Sequence, residues 1–393
     1  MNELRTRVAI VGAGPAGLLL GQLLTAAQID TVVVERRSRT YVEQRVRAGV
    51  IEYGVANLID DAGAGARMRA EGLVHHGVEL RFDGSTHRVA LSELTGGKTI
   101  TVYGQQELVK DLIALREASG APTLFDTAAT ALVDLNSPAP SVEVEGPSGA
   151  LRITCDFVAG CDGSFGLAAS SPPPGHVRRY ERTYPFSWLG ILAEAAPTTK
   201  ELIYARHERG FALYSMRSPT LSRLYLGVSP TETLADWSDD RIWEELSVRL
   251  STDDSPAVNV GPISERSITS MRSVVIEPMR YGRLLIAGDA AHIVPPTGAK
   301  GMNLALGDVR ELAAALMSAL VEGDERRLDD YSRRCLERVW RAEEFSNYMT
   351  EMLHPIDEDE FENAVQRTRL RQATSSPEAG TVFARNYCDL NSL

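Results

Sequence analysis

A glycine-rich turn between an apolar strand and an apolar helix constrains the fold of this chain more than any other feature. The apolar segment VAIV at residues 8–11 is followed by GAGPAG at residues 12–17 and by a second apolar run at 18–27. Another apolar stretch, 31–34, comes next and ends at Glu35. This order predicts a βαβ unit, whose two strands lie parallel with a right-handed crossover.

The three glycines of this turn, Gly12, Gly14 and Gly17, have the spacing of a dinucleotide-binding loop. Glycine allows a tight turn and a close approach of the backbone to a pyrophosphate, and the following helix directs its free N–H groups at the phosphates. Glu35 follows at about the distance, roughly 20 residues, at which an acidic residue holds a ribose hydroxyl. The sequence therefore predicts a dinucleotide site, with a chance glycine turn as the alternative.

Composition limits the class of protein. The chain has 393 residues, 44% of them hydrophobic and 24% charged, which predicts a globular protein with a large core. A net charge of -12 argues against binding to nucleic acid or to anionic membranes. Four cysteines without a CxxC pair fit a reducing cytoplasm, and the histidines lack the spacing of metal ligands. We expect a cytoplasmic protein without a metal site.

The middle of the chain has a different pattern from its two ends. Between about residues 184 and 228, short segments of alternating polarity predict antiparallel strands. Strand-then-helix patterns return after RLLIAGDAAH. We therefore predict an α/β fold in which a Rossmann-like domain with a parallel sheet, residues 1–182 and 271–350, is interrupted by a mainly antiparallel sheet domain at 183–270. A helical segment, 351–393, follows.

Two further segments place an aspartate after a strand. Asp162 follows the apolar segment FVAG, and Asp289 follows RLLIAG. Asp289 could accept a hydrogen bond from a polyol chain, and the start of the next helix, near Lys300 and Asn303, could stabilise negative charge on a reduced ring. The alternative is that Asp289 only caps a helix and that the nearby glycines only form turns.

Together these segments resemble the class A flavoprotein aromatic hydroxylases. The resemblance rests on the glycine turn, the DG at Asp162 and the GDAAH that contains Asp289. It extends through RVRAGVIEYGV, GGKTITVYGQ, IVPPTGAKGMNLA and ARNYCDL, from Val8 to about Tyr387. It implies bound FAD, NADPH or NADH as co-substrate, oxygen activation through a flavin C4a-hydroperoxide, and a homodimer.

The resemblance is strongest to the family members that convert 4-hydroxybenzoate to 3,4-dihydroxybenzoate. It implies a small aromatic acid and O2 as the reactants. Two alternatives stay open: hydroxylation of another para-substituted benzoate, such as 4-aminobenzoate, and a flavin-binding redox protein that does not hydroxylate. The retention of the substrate and proton-relay residues named below argues against the second alternative.

The same resemblance assigns roles to individual residues. The residues implied for FAD are Gly12, Gly14, Gly17, Glu35, Arg45, Arg47, Gln105, Asp162, Asp289, Gly298, Lys300, Gly301 and Asn303. Those implied for the substrate are Ser215, Arg217, Tyr225, Tyr204 and Pro296. Catalysis is assigned to Tyr204, Tyr387, His75 and Pro296, with His75 at the exposed end of a proton relay. The nicotinamide cofactor is assigned to Arg36, Arg37, Tyr41, Arg47 and Arg272.

The strand that carries Ser215 and Arg217 is compatible with a carboxylate pocket. The two residues are separated by one position, so both side chains leave a strand on the same face, whereas Tyr214 should point to the opposite face. A planar guanidinium and a hydroxyl suit a benzoate carboxylate. An ordinary exposed arginine on a sheet is the alternative.

The chain departs from the family pattern after the DG at Asp162. Ser164, Phe165 and Ala169 stand where relatives have an aromatic residue, a histidine and an arginine linked with nicotinamide-cofactor binding. The choice between NADPH and NADH therefore stays open. Arg36, Arg37 and Arg39 are candidates to supply the missing positive charge, and a solvated basic turn is the alternative.

Overall fold

The computed structural model describes residues 2–47, 49–255, 257–356 and 359–390. Its strands are β1 (Asn2–Arg5), β2 (Val8–Val11), β3 (Thr31–Val34), β4 (Val50–Glu52), β5 (Leu73–His75), β6 (Val78–Phe82), β7 (Ser85–Val89), β8 (Ile100–Val102), β9 (Thr123–Leu124), β10 (Ala128–Val133), β11 (Ser141–Gly146), β12 (Gly149–Thr154), β13 (Phe157–Gly160), β14 (Arg178–Ala193), β15 (Leu202–His207), β16 (Gly210–Ser218), β17 (Leu221–Val228), β18 (Ile263–Glu277), β19 (Arg280–Tyr281), β20 (Leu284–Ile286) and β21 (His292–Ile293). Its helices are α1 (Pro15–Ala26), α2 (Arg39–Gln44), α3 (Tyr53–Asp61), α4 (Ala66–Glu71), α5 (Leu91–Thr95), α6 (Gln105–Ser119), α7 (Asp239–Leu250), α8 (Gly301–Met317), α9 (Arg326–Leu353), α10 (Glu360–Ser375) and α11 (Pro377–Cys388). This order confirms the predicted α/β class.

A mostly parallel sheet forms the nucleotide-binding part. Its described strands are ordered β19-β20-β13-β2-β3-β9, and only β19 runs antiparallel to its neighbour. Strands β2, β3 and β13 are buried along their whole length, as apolar strands of a parallel sheet are when both faces are covered. The predicted βαβ unit is confirmed as β2–α1–β3. Because neighbouring strands are parallel, their carboxyl ends share one edge.

A larger sheet follows the order β21-β18-β14-β17-β16-β15-β6-β7 among the described strands. The predicted antiparallel strands β15, β16 and β17 are confirmed within it. One face packs on α7 through Ile242, Leu246 and Leu250, which are fully buried. The other face packs on the C-terminal helices, where Tyr204 and Tyr387 belong to one apolar cluster. The substrate strands therefore present one face to the C-terminal helices.

The predicted domain boundaries near residues 182, 270 and 350 stay a prediction. The boundaries at 182 and 270 fall inside the long strands β14 and β18. Strands β6 and β7, which belong to the first predicted segment, extend the large sheet. A small sheet, β4-β8-β5, lies near α11. The C-terminal segment is helical where it is described, with residues 357–358 and 391–393 outside the described part. Within the described residues, no helix is long and apolar enough to cross a membrane.

Candidate active site

Four predicted cofactor residues meet at one edge of the parallel sheet. Gly12 directly follows β2 and Glu35 directly follows β3, while Asp162 and Asp289 come shortly after β13 and β20. Since β20, β13, β2 and β3 are successive parallel neighbours, these residues lie side by side at the carboxyl ends of the strands. A crevice at this edge is where open α/β sheets bind nucleotides.

The glycine turn is packed tightly on one side and open on the other. Gly12 has a φ of +106°, and a Cβ there would lie 2.3 Å from the carbonyl oxygen of Cys161. A Cβ on Gly17 would lie 2.0 Å from the carbonyl oxygen of Gly12. A Cβ on Gly14, by contrast, would have no atom within 4 Å. The turn therefore leaves open space in front of the N-terminus of α1, which fits the pyrophosphate of FAD.

The carboxylate of Glu35 braces this turn. Its Oε2 accepts a hydrogen bond from the backbone N–H of Ala13 at 2.9 Å, and its Oε1 accepts one from the N–H of Arg37 at 2.9 Å. Both oxygens thus contact backbone, and the side chain is only partly buried. Binding of a ribose by Glu35 stays a prediction.

Asp289 is exposed although the residues on both sides of it are buried. Arg45 lies within its electrostatic influence: burial and the charge of Arg47 lower the pKa of Arg45, while Tyr41, Asp289 and Glu35 oppose that effect. The guanidinium of Arg45 also lies 6.0 Å from the centre of the Tyr41 ring. The segment around α2 therefore faces the same edge as Asp289, and both charges are accessible to a cofactor.

Two buried acceptors near this edge lack a partner within the described part of the chain. Asp162 accepts a hydrogen bond from the N–H of Ala168 through Oδ2 at 3.0 Å, but its Oδ1 has no partner. Burial raises the pKa of Asp162. Gln105 begins α6, and the side-chain oxygen of the adjacent Gln106 is also without a partner. Buried acceptors normally find donors, so these atoms fit the hydroxyl or amine donors of a bound cofactor.

The side chains of Lys300 and Asn303 contact protein groups. The Lys300 amine is fully buried and donates to Glu52 Oε1 at 2.7 Å and to the carbonyl oxygen of Tyr387 at 2.8 Å. Asn303 accepts from the N–H of Glu52 and donates to the carbonyl oxygen of Val50, both at 2.9 Å. Burial lowers the pKa of Lys300, and Glu52 opposes this effect. Our sequence analysis missed Glu52, although a lysine in an apolar segment implies such a carboxylate.

The loop before α8 and the start of that helix form a second surface that can stabilise negative charge. Pro296 begins a single helical turn, and Ala299 adopts a left-handed φ of +55°. A Cβ on Gly298 would lie 2.7 Å from Ser346 Oγ, so this loop is pressed against α9. α8 then begins at Gly301 with no acidic residue in its first turn and no side-chain cap. Its free N–H groups can stabilise negative charge on a flavin ring, which fits the predicted role of residues 296–303.

Three of the predicted substrate residues, Tyr204, Ser215 and Tyr225, share one face of the large sheet. Tyr204, Leu213 and Tyr225 are direct neighbours across β15, β16 and β17, and Ser215 lies opposite Arg223. Side chains of paired residues point to the same face. Tyr214 belongs to the apolar cluster on the opposite face, with α7, as predicted.

The guanidinium of Arg217 forms few good hydrogen bonds with the described part of the chain. Its Nη1 donates only long hydrogen bonds, 3.3 Å to Ser215 Oγ and 3.5 Å to the carbonyl oxygen of Met216, and its buried Nε has no partner. Within the described residues no carboxylate pairs with it. Burial lowers the pKa of Arg217, and Tyr225 opposes that effect. A partly buried guanidinium of this kind would be stabilised by an anionic ligand, because an unpaired buried charge is costly.

Two tyrosines join the substrate strands to the C-terminal helix. The hydroxyls of Tyr204 and Tyr387 lie 2.6 Å apart, and both residues are buried. Burial raises the pKa of each, so neither ionises alone near neutral pH. A hydrogen-bonded pair of this kind can still pass a proton along the chain of hydroxyls.

The expectation that His75 forms an exposed end of the relay is wrong. His75 is 1% exposed, and neither ring nitrogen has a partner among the described residues. Burial lowers its pKa to about 4, with Glu201 opposing that effect. In the small sheet His75 and Glu52 flank Ile100 from the two sides. His75 is therefore a neutral interior base, and its neighbour His76 is the exposed residue.

The predicted nicotinamide residues fall into two groups. Arg37 lies with its guanidinium 5.1 Å from the centre of the Tyr41 ring, close to the FAD edge. Arg272, on β18, lies 5.6 Å from the centre of the exposed Phe165 ring. Arg39 forms ion pairs with Glu43 and Glu117 instead, so the surface already neutralises its charge. The remaining members, Arg36 and Arg47, lie in the segment of the first group.

Comparisons with known proteins agree with this geometry. Residues 5–346 match the family described as FAD binding domain. The chain is 46% identical over 99% of its length to p-hydroxybenzoate hydroxylase of Acinetobacter baylyi, covering 96% of that protein. The structure of p-nitrophenol 4-monooxygenase from Pseudomonas putida, 18% identical, has the same fold with a TM-score of 0.82, over 100% of this chain and 99% of that one. The chain therefore belongs to the FAD-binding family of flavoprotein aromatic hydroxylases.

Proposed function

We propose that this protein is an FAD-dependent monooxygenase that converts 4-hydroxybenzoate into 3,4-dihydroxybenzoate with reduced nicotinamide cofactor and O2. The observation that carries the proposal is the pairing of an unsatisfied Arg217 with the Tyr204–Tyr387 hydroxyl pair on one side of the large sheet. One end recognises an anion and the other handles a phenolic proton. The similarity to p-hydroxybenzoate hydroxylase supports the same substrate.

The carboxylate of the substrate would bind Arg217, with Ser215 and Tyr225 as further hydrogen-bond donors. The buried Nε of Arg217 has no partner among the described residues, and a planar guanidinium matches a carboxylate with two hydrogen bonds. The hydroxyl of a para-substituted ring then projects away from Arg217, toward Tyr204. Recognition of both ends favours a 4-hydroxybenzoate over an unsubstituted phenol.

The tyrosine pair would remove the phenolic proton. The substrate hydroxyl would donate to Tyr204, and Tyr204 would then donate to Tyr387, whose hydroxyl lies 2.6 Å away. His75, neutral at pH 7 because burial lowers its pKa to about 4, would pass this proton onward and not retain it. Loss of this proton increases the electron density at the ring carbon ortho to the oxygen-bearing carbon, and this ortho carbon becomes the nucleophile.

The residues at the edge of the parallel sheet would hold FAD. The open space at Gly14 would take the pyrophosphate, Asp289 would hold the ribityl chain, and the N-terminus of α8 would face the ring. When bound, FAD accepts a hydride from the nicotinamide and supplies activated oxygen. The protein orients the substrate, stabilises charge and excludes water.

The co-substrate would bind near Arg36, Arg37, Tyr41 and Arg47, with Arg272 as a further contact. Arg36, Arg37, Tyr41 and Arg47 are exposed near the proposed FAD site, which supports this role. A cytoplasmic location and a homodimer complete the proposal.

The test is the oxidation of NADH and NADPH by the purified protein with and without 4-hydroxybenzoate, with product and hydrogen peroxide both quantified. We expect substrate-stimulated oxidation with 3,4-dihydroxybenzoate as the main product. Stimulation with peroxide alone would indicate a pocket for another ring, such as 4-aminobenzoate. No stimulation by any benzoate would indicate a flavoprotein that does not hydroxylate.

Two variants separate the relay from general packing. Tyr204→Phe removes a hydroxyl that bonds Tyr387, while Tyr214→Phe, on the same sheet, removes one on the opposite face. We expect product formation to fall only in the first. Equal losses in both variants would contradict the proposed relay.

A further inference from the structure

A buried carboxylate lies directly behind the loop that carries Asp289. Asp308, on α8, has no exposed surface, and its Oδ2 accepts hydrogen bonds from the backbone N–H of Gly288 at 3.1 Å and from His292 Nε2 at 2.6 Å. Arg338 Nη2, on α9, lies 3.4 Å from its other oxygen. One carboxylate thus joins the end of β20, strand β21 and two long helices.

These contacts bracket the residue predicted to hold the ribityl chain. Gly288 and His292 stand on either side of Asp289, and Asp289 is the exposed member of this short segment. Gly288 has a φ of +64°, and a Cβ there would lie 3.0 Å from the Cβ of Ala305 on α8. The turn is therefore held against α8 by close packing and by one hydrogen bond to Asp308.

Charge interactions oppose the effect of burial in this cluster. Burial alone would raise the pKa of Asp308, but His292 and Arg338 lower it overall. Burial alone would lower the pKa of His292, but Asp308 raises it overall. An ionised carboxylate paired with a guanidinium accepts stronger hydrogen bonds than a neutral group does. The N–H of Gly288 is consequently fixed by a charge-assisted bond.

We propose that Asp308, supported by His292 and Arg338, is a positioning residue that holds the Gly288–Asp289 turn in the conformation that binds FAD. Asp308 acts through the backbone of the turn and does not itself touch the cofactor. This inference rests on the FAD site and is independent of the identity of the aromatic substrate. FAD binding would then require Asp308 in addition to the glycine turn at residues 12–17 and to Asp289.

The test compares Asp308→Asn with a matched control, Glu245→Gln. Glu245 is also a buried carboxylate, bound to Arg249 at 2.8 Å, but on α7 at the far face of the large sheet. FAD is removed from each purified protein and titrated back while flavin fluorescence is followed, and the unfolding temperature of each FAD-free protein is measured.

We expect Asp308→Asn to raise the Kd for FAD about 10- to 100-fold, the range expected for one lost charge-assisted hydrogen bond. Glu245→Gln should change that Kd less than about threefold, even where it lowers the unfolding temperature by a similar amount. A Kd for Asp308→Asn that matches the wild type, or that changes no more than in the control, would overturn the proposal.

A second pair of variants keeps the test decisive if Asp308→Asn does not fold. His292→Gln retains an N–H donor for Asp308, whereas His292→Leu removes it. The proposal requires the glutamine variant to bind FAD more tightly than the leucine variant. Equal FAD affinity in the two variants would overturn it.

Discussion

Replacement of Arg217 by glutamine should weaken binding of 4-hydroxybenzoate selectively. In the free protein the guanidinium forms long hydrogen bonds to Ser215 and to the backbone of Met216 and lies near the Tyr225 hydroxyl, and no carboxylate in the described part of the chain pairs with it. The replacement therefore costs the fold little. In the complex, by contrast, it removes the positive charge that faces the substrate carboxylate.

The expected magnitude follows from this environment. Truncating one partner of a buried, hydrogen-bonded charge pair costs about 2–5 kcal/mol. Because Arg217 is partly exposed, solvent screening favours the lower part of that range, about 2–3 kcal/mol. The Kd for 4-hydroxybenzoate should therefore rise about 30- to 150-fold.

The assay is a titration of the FAD-loaded protein with ligand, followed by the change in flavin absorbance. Phenol is the matched ligand, since it keeps the hydroxyl and lacks the carboxylate. Its Kd should change less than about threefold in Arg217→Gln. The reasoning is refuted if 4-hydroxybenzoate loses less than threefold, or if phenol loses as much as 4-hydroxybenzoate does.

Three further predictions follow from the packing and the buried charges. Gly17→Ala should lower the unfolding temperature of the FAD-free protein because its Cβ would lie 2.0 Å from a carbonyl oxygen. Gly14→Ala should leave that temperature unchanged and raise the Kd for FAD. Thermal unfolding and FAD titration separate the two variants, and equal unfolding temperatures would contradict this prediction. Gly190→Val should raise the KM for 4-hydroxybenzoate at least several-fold, since even a Cβ there would lie 3.3 Å from the Tyr225 ring, and steady-state kinetics with an unchanged KM would count against this pocket wall. Burial raises the pKa of Glu343 to about 7, so the contribution of the protonated side chain to stability is complete below about pH 4.5 and is lost as the pH rises through 7. Relative to Glu343→Gln, the free energy of unfolding of the wild type should therefore fall by up to about 3 kcal/mol between pH 5 and pH 8. Urea unfolding curves of the two proteins that change in parallel with pH would contradict this prediction.

The sequence predicted the features that depend on local spacing. The glycine turn and Glu35 lie within one βαβ unit, so their contiguity fixes their meeting at one sheet edge. The opposite face of Tyr214 follows from the alternation of side chains along a strand, and the predicted proximity of Ser215 and Arg217 agrees with the 3.3 Å between Ser215 Oγ and Arg217 Nη1. These predictions needed no knowledge of long-range packing.

The missed features depend on contacts between distant segments. The partner of Lys300 is Glu52, which lies 248 residues earlier in the chain and reaches it through the small sheet. The burial of His75 depends on what packs around a short strand, and the predicted exposure came from the family resemblance and not from the local sequence. Asp308 looked like an ordinary helix residue because its partners, Gly288 and His292, meet it only when α8 folds against β20 and β21.

The ionisation of the bound substrate tests the central claim most directly, namely that a carboxylate anchored at Arg217 presents its phenol to Tyr204 and Tyr387. Ultraviolet difference spectra of 4-hydroxybenzoate bound to the FAD-loaded protein would be recorded across pH, for the wild type and for Tyr204→Phe. The account predicts that phenolate appears at lower pH in the wild-type complex than in free solution, and that Tyr204→Phe abolishes this difference. Identical titrations of bound ligand in the two proteins would contradict it.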